Sequence, residues 1–179
     1  MNKVSVAGKA LTIIFTVLFM IGCSTTDTSD VDSAAAAEAA AAEQARMDAE
    51  KAAQEKAAAQ AAAAQKALED AAAAAGNTVY FGFDEYSLSG AAQSALDAHI
   101  ALAKTNSVSI RLEGHTDERG TREYNMALGE RRANAVADYM VGNGISRSRI
   151  ESVSYGEERP AASGSGEANW SQNRRVVIK

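Results

Sequence analysis

Arg132 stands four residues after Leu128 and four before Val136, in a segment of helical periodicity, so a guanidinium falls on an apolar face. A charge there is costly unless it is paired or hydrogen-bonded, and a partner must lie close by. The polar stretch Gly114-His115-Thr116-Asp117-Glu118-Arg119-Gly120-Thr121 runs into the same helix, which makes Asp117 the obvious candidate. Two readings fit: a structural ion pair that pins loop to helix, or a ligand site. Arg131, next along, reads as solvated. Other chemistries find less support. His115 and Asp117 form a two-ligand metal fragment with no third ligand cluster, so zinc is not expected. No Gly-x-Ser-x-Gly nucleophile motif occurs, and no catalytic cysteine. Asp84 with Asp117 is the only carboxylate pair to nominate for glycoside hydrolysis. The residues therefore suit binding rather than catalysis, and no cofactor is expected.

The surrounding pattern predicts the elements that hold these groups. Val79–Phe83 is aromatic and β-branched, a strand. Ser89 is a plausible N-cap for a helix from about Gly90 to Lys104, with Leu96, Ile100 and Ala103 inward. Val108–His115 alternates Val108, Ile110 and Leu112 against Ser109, Arg111 and Glu113, a half-buried strand. Gly114–Tyr124 is a polar loop whose two glycines permit a tight path. Asn125 is expected to cap a helix to about Val141, with Leu128, Val136 and Met140 inward and Gly142-Asn143-Gly144 as its stop. Ile150–Tyr155 is a third strand, Gly156–Asn169 a long loop, and Arg174–Ile178 a last strand. His99 reads as a surface or packing residue, and Trp170 as core or contact, with core favoured. The order β-α-β-α-β-β implies an α+β two-layer sandwich, a mixed sheet with two helices on one face.

Asn125-Met-Ala-Leu128-Gly-Glu-Arg-Arg132-Ala133-Asn-Ala-Val136 resembles the peptidoglycan-association motif of OmpA-like domains, N-x2-L-S-x2-R-A-x2-V, with Gly129 where the motif has Ser. The resemblance continues through Leu112–Thr121, through Tyr155-Gly156-Glu157-Glu158-Arg159-Pro160, through Asn173–Val176, and at Phe81-Gly82-Phe83-Asp84, and so covers essentially all of 76–179. It implies an OmpA-like fold whose pocket binds diaminopimelate of uncrosslinked stem peptides. The free end of diaminopimelate is a zwitterion, which a carboxylate and a guanidinium a few ångströms apart complement. By resemblance Asp117 takes the ammonium and Arg132 the carboxylate, while Phe83, Asp84, Arg119, Thr121 and Leu128 line the pocket.

Upstream, composition changes sharply. Lys3 and Lys9 precede an apolar run from Ala10 to Ile21, the pattern of a secretory signal over 1–22. At about a dozen residues the run is short for a membrane span, which needs roughly 20. Met20-Ile21-Gly22-Cys23 resembles the lipobox of bacterial lipoproteins, in which the cysteine is acylated; the family prefers Leu where Met20 stands. Several acyl chains at roughly 0.8 kcal/mol per buried methylene would make that attachment essentially permanent. Ser24 after the cysteine resembles lipoproteins sent to the outer membrane. Residues 23–33 then read as the lipidated cysteine with a flexible polar linker, and 34–75 as an Ala-rich helical spacer, without Gly or Pro and with charges at helpful spacings such as Lys66 to Glu69. Forty such residues would span about 60 Å.

The formal net charge is -5, and residues 76–179 carry 12 Lys+Arg against 13 Asp+Glu, which argues against nucleic acid as a partner. The combined expectation is a non-enzymatic tether between outer membrane and peptidoglycan. The resemblance adds the Tol system, TolB included, and a role in cell division and envelope integrity. The alternative is an OmpA-like structural lipoprotein outside that system that oligomerises through its Ala-rich helix.

Overall fold

A computed structural model describes residues 29–179, with side chains from residue 36 onward. The signal segment 1–22, Cys23 and the start of the polar linker lie outside the described residues. The chain divides into two units, Met1–Glu50 and Lys51–Lys179.

Helix α1 runs from Ser29 to Ala75. Alanine and the interspersed Glu, Gln and Lys are the best helix formers, and nothing in the segment interrupts them. It starts earlier than Ala34, taking in residues 29–33 of the segment expected to be flexible. Extending an existing helix costs far less than nucleating one. Lys66 pairs with Asp70 at 3.0 Å rather than with Glu69, which accepts from Gln65 instead. Gly76 ends the helix in the left-handed region, φ +72. Its carbonyl lies 2.7 Å from Nε2 of His99, which must therefore donate, so His99 is a packing residue that fixes the helix exit.

Strands β1 (Thr78–Tyr80), β2 (Ile110–His115), β3 (Ile150–Gly156) and β4 (Arg175–Ile178) form one sheet in the order β1-β4-β2-β3. β4 is antiparallel to both neighbours and β2 is parallel to β3, so the sheet is mixed. Helices α2 (Gly90–Thr105) and α3 (Arg122–Gly142) contribute Leu96, Ile100, Ala103, Ala133, Val136 and Met140 to the same core as Val79, Leu112, Ile150 and Val176. Both helices therefore cover one sheet face, the expected two-layer α+β arrangement. Ser89 caps α2, accepting from the Ala92 amide at 3.2 Å.

Four local expectations change. The first strand ends at Tyr80, so Phe81–Phe83 lie beyond it. The second strand begins at Ile110, and Val108 is 65% exposed. Its carbonyl instead accepts from Arg149, whose guanidinium also reaches the Ala103 carbonyl and clamps the α2–β2 turn. Helix α3 begins at Arg122 with Thr121 as N-cap, accepting from the Tyr124 amide at 3.2 Å, so Asn125 lies inside the helix. Within the expected loop 156–169, a short helix α4 (Glu167–Asn173) begins.

Candidate functional site

The site begins with how closely α3 sits on β2. A Cβ on Gly114 would stand 1.9 Å from the Gly129 carbonyl oxygen, so β2 admits no side chain at the crossing. That approach carries Arg132, one turn further on, to the end of β2, where it is fully buried. Its Nε donates to the Glu85 carbonyl at 2.7 Å, Nη1 to His115 at 2.9 Å, and Nη2 to Gly82 at 3.0 Å. The expected contact with Asp117 is not made. Backbone carbonyls at the end of β2 and in the turn after β1 take the guanidinium instead. Three of its five N–H donors are spent and two remain. Among the described residues no carboxylate lies within salt-bridge distance of Arg132. Burial pulls its pKa down to about 10, against the raising effect of Asp117, so the group stays cationic at neutral pH.

Asp117 has other partners. Arg119 holds it with both ends of its fork, Nε to Oδ1 at 3.1 Å and Nη2 to Oδ2 at 2.6 Å, and adds its own amide to Oδ1 at 3.2 Å. Arg174 Nη1 reaches Oδ2 at 3.3 Å. Burial alone would push the Asp117 carboxyl up, but the hydrogen bonds from Arg119, with help from Arg174, leave it below its ordinary value. Arg119 in turn stacks its guanidinium on two rings, 4.0 Å from the Phe83 centroid and 4.2 Å from that of Trp170.

Asp117 and Arg132 line one pocket of about 180 Å³, together with Phe83, Asp84, Arg119 and Leu128 of the expected set. Phe83 is a 60% exposed rim residue, and Leu128 is buried. Asp84 sits at φ +55, a left-handed backbone in a non-glycine residue, and accepts from the Tyr124 hydroxyl. Thr121 is not among the lining residues, since its hydroxyl caps α3. Thr116, Gly120, Tyr124, Asn125 and Arg174 complete the wall. Asn125 is buried and ties the Arg119 carbonyl to Glu157 through Nδ2, at 3.2 and 2.6 Å. Trp170 is only half buried and outside the core, its Nε1 donating to Glu118 at 3.1 Å. Arg131 is exposed as expected, beside the rings of Tyr86 and Tyr124.

Arg174 is the residue that sequence reasoning missed. It alternates with Val176 and Ile178 at the start of a strand, so it too is a charge on an apolar stripe, the signal that singled out Arg132. It is buried, with Nε on the Phe81 carbonyl at 3.1 Å and Nη2 on Glu167. His115 is buried against Tyr155, with ring centroids 5.6 Å apart. Among the described residues no group of three or more His, Cys, Asp or Glu side chains is placed to hold a metal ion.

A model of the OmpA family matches residues 80–174, more than half the chain. A peptidoglycan-associated lipoprotein of Pseudomonas putida is 55% identical over 111 residues, covering 62% of this chain and 67% of that protein. The crystal structure of the peptidoglycan-associated lipoprotein from Burkholderia pseudomallei is similar with a TM-score of 0.57 and 44% identity, covering 58% of this chain and 89% of that one. The C-terminal domain of Helicobacter pylori MotB shares the fold at a TM-score of 0.53 and 20% identity, over 57% of this chain and 81% of that one.

Proposed function

The chain belongs to the OmpA family, and from that premise we propose that its C-terminal domain grips peptidoglycan non-covalently while an acylated Cys23 fixes it to the periplasmic face of the outer membrane. The ligand is the free zwitterionic end of diaminopimelate in an uncrosslinked stem peptide. Its carboxylate goes to Arg132 and its ammonium to Asp117, with Phe83, Asp84, Arg119 and Leu128 around it. One observation carries this reading: Arg132 is a buried cation with unspent donors and, among the described residues, no carboxylate within salt-bridge distance, on the wall of the pocket that Asp117 also lines. A guanidinium so placed gains most from a ligand that brings the missing anion.

The names of the relatives support the wall as target and the lipid as anchor. The Ala-rich helix acts in this reading as a spacer between the two. Its exposed Met47 and lack of a large apolar seam favour a solvated rod over an oligomerising one. The reading extends to the Tol proteins, TolB among them, as partners in cell division and envelope integrity. The domain has no catalytic role in it.

Two assays on cells test the tether. Wild-type protein should take up radiolabelled palmitate and co-sediment with purified peptidoglycan sacculi. Cys23→Ser should lose the label and keep the sacculi. Wild-type protein that stays in the supernatant above sacculi would sink the wall-binding half of the proposal.

A further inference from the structure

Asp117 is already saturated. An ionised carboxylate offers about four lone-pair positions. Arg119 N and Nε fill Oδ1, and Arg119 Nη2 and Arg174 Nη1 fill Oδ2. A ligand ammonium that approaches Asp117 finds a cation in its place. Arg174 cannot yield: its side chain is 7% exposed and held by the Phe81 carbonyl and Glu167. Arg119 can. Its side chain is 30% exposed at the pocket wall, with water as an alternative solvent for its charge.

We propose that Arg119 is an internal cation seated at the ammonium position on Asp117, and that only a ligand bringing both an ammonium and a carboxylate displaces it, so that Arg119 sets the choice of diaminopimelate over lysine. The inference rests on the diaminopimelate reading of the pocket. A bare lysine ammonium offers Asp117 a point charge in exchange for a bidentate fork. It also forfeits the stacking of Arg119 between Phe83 and Trp170. That exchange has no driving force. The diaminopimelate end brings a carboxylate as well, and Arg132, which lacks one, supplies the gain. Displacement and charge pairing are thus coupled, and a ligand with half of the zwitterion is rejected by the residue already in place.

Trp170 is the only tryptophan of the chain, so its emission reports whether the guanidinium 4.2 Å above it leaves. The full-length protein in detergent is titrated with a diaminopimelate-containing muropeptide and with its lysine counterpart, as wild type, Arg119→Gln and Arg119→Lys. Wild type should bind the diaminopimelate ligand with a change in Trp170 emission. Arg119→Gln should show little further change on binding and gain affinity for the lysine ligand, narrowing the preference by roughly tenfold, the scale of one charge-assisted pair. Arg119→Lys returns a cation to Asp117 and should recover part of the preference. A preference unchanged in Arg119→Gln, or wild-type emission unmoved at saturation, overturns the proposal while leaving the wall-binding reading intact. Loss of all binding in a folded Arg119→Gln also overturns it, and makes Arg119 a direct ligand contact. If wild type binds neither muropeptide, the pocket reading falls and this inference with it.

Discussion

Arg132 donates to the carbonyl oxygen of His115 at 2.9 Å, two residues ahead of Asp117, so the helix bearing the guanidinium is tied to the strand end bearing the carboxylate. The same guanidinium ties in the segment after β1 through Gly82 and Glu85. One side chain thus joins three stretches of chain that line the pocket, and it does so through backbone carbonyls, leaving its charge for a ligand.

Removing that clamp should be felt in the fold as well as in binding. Arg132→Ala removes three hydrogen bonds to backbone carbonyls and opens a void in a fully buried position. The expected cost is about 3–5 kcal/mol. Arg132→Lys keeps the charge and part of the hydrogen bonding, and should cost less. Urea unfolding of the three proteins orders them; an Arg132→Ala protein as stable as wild type would contradict the clamp.

The crossing of α3 over β2 makes a second prediction. A Cβ on Gly129 would stand 2.4 Å from Ser154 Oγ and 3.1 Å from the Gly114 carbonyl. Gly129→Ala should therefore destabilise by about 1–3 kcal/mol through overpacking. Ser154→Ala in the same chain should recover part of that loss, although Ser154 Oγ also donates to the Met126 carbonyl at 2.7 Å. Unfolding free energies of the two single variants and the double variant measure this coupling. Strict additivity would remove Ser154 as the obstacle.

His115 sets a pH dependence. Burial first, then the charges of Arg175 and Arg159, pull its pKa down to about 4. The unfolded chain titrates it near the ordinary value of about 6.5, so below that the unfolded state binds the extra proton. Its contribution to stability is thus fully present above about pH 6.5 and lost as pH falls towards about 4. Between pH 7 and pH 5 the loss should be about 2 kcal/mol. His115→Phe keeps a ring against Tyr155 and should flatten that part of the profile in paired urea titrations. An unchanged slope would assign it to other groups.

Much of this was readable in the residues, for reasons that also explain the rest. Arg132 shows itself because helical spacing sets it between Leu128 and Val136, and burial follows from that stripe. Its partners do not show, because backbone carbonyls in a turn and at a strand end carry no residue signature. Arg174 carries the same mark in a period of two, but over a run too short to stand out. Trp170 looks like core by type, yet a ring can be half buried as a stacking plate for Arg119. The helix at Glu167–Asn173 follows Gly164-Ser165-Gly166, where composition says loop until the last residue. Val108 is the first hydrophobe of an alternating run, and the strand starts two residues later because Asn106 caps the turn with its side chain.

Thr121 separates capping from recognition. Its hydroxyl accepts the Tyr124 amide at 3.2 Å and so is engaged at the start of α3. Thr121→Ala should cost about 1 kcal/mol of stability. Affinity for a muropeptide should change by less than about threefold. A large loss of affinity at unchanged stability would return Thr121 to the pocket.

Calorimetric titration of the full-length protein in detergent with a diaminopimelate muropeptide tests the central claim most directly, with Asp117→Asn and Arg132→Gln beside wild type and circular dichroism confirming that each is folded. Wild type should bind, and each variant should lose about 2–5 kcal/mol of binding free energy, the cost of cutting one partner of a desolvated charge pair. Wild-type affinity that survives in both folded variants, or no binding by wild type at all, would contradict the assignment of Asp117 and Arg132 as the two poles of a zwitterion site.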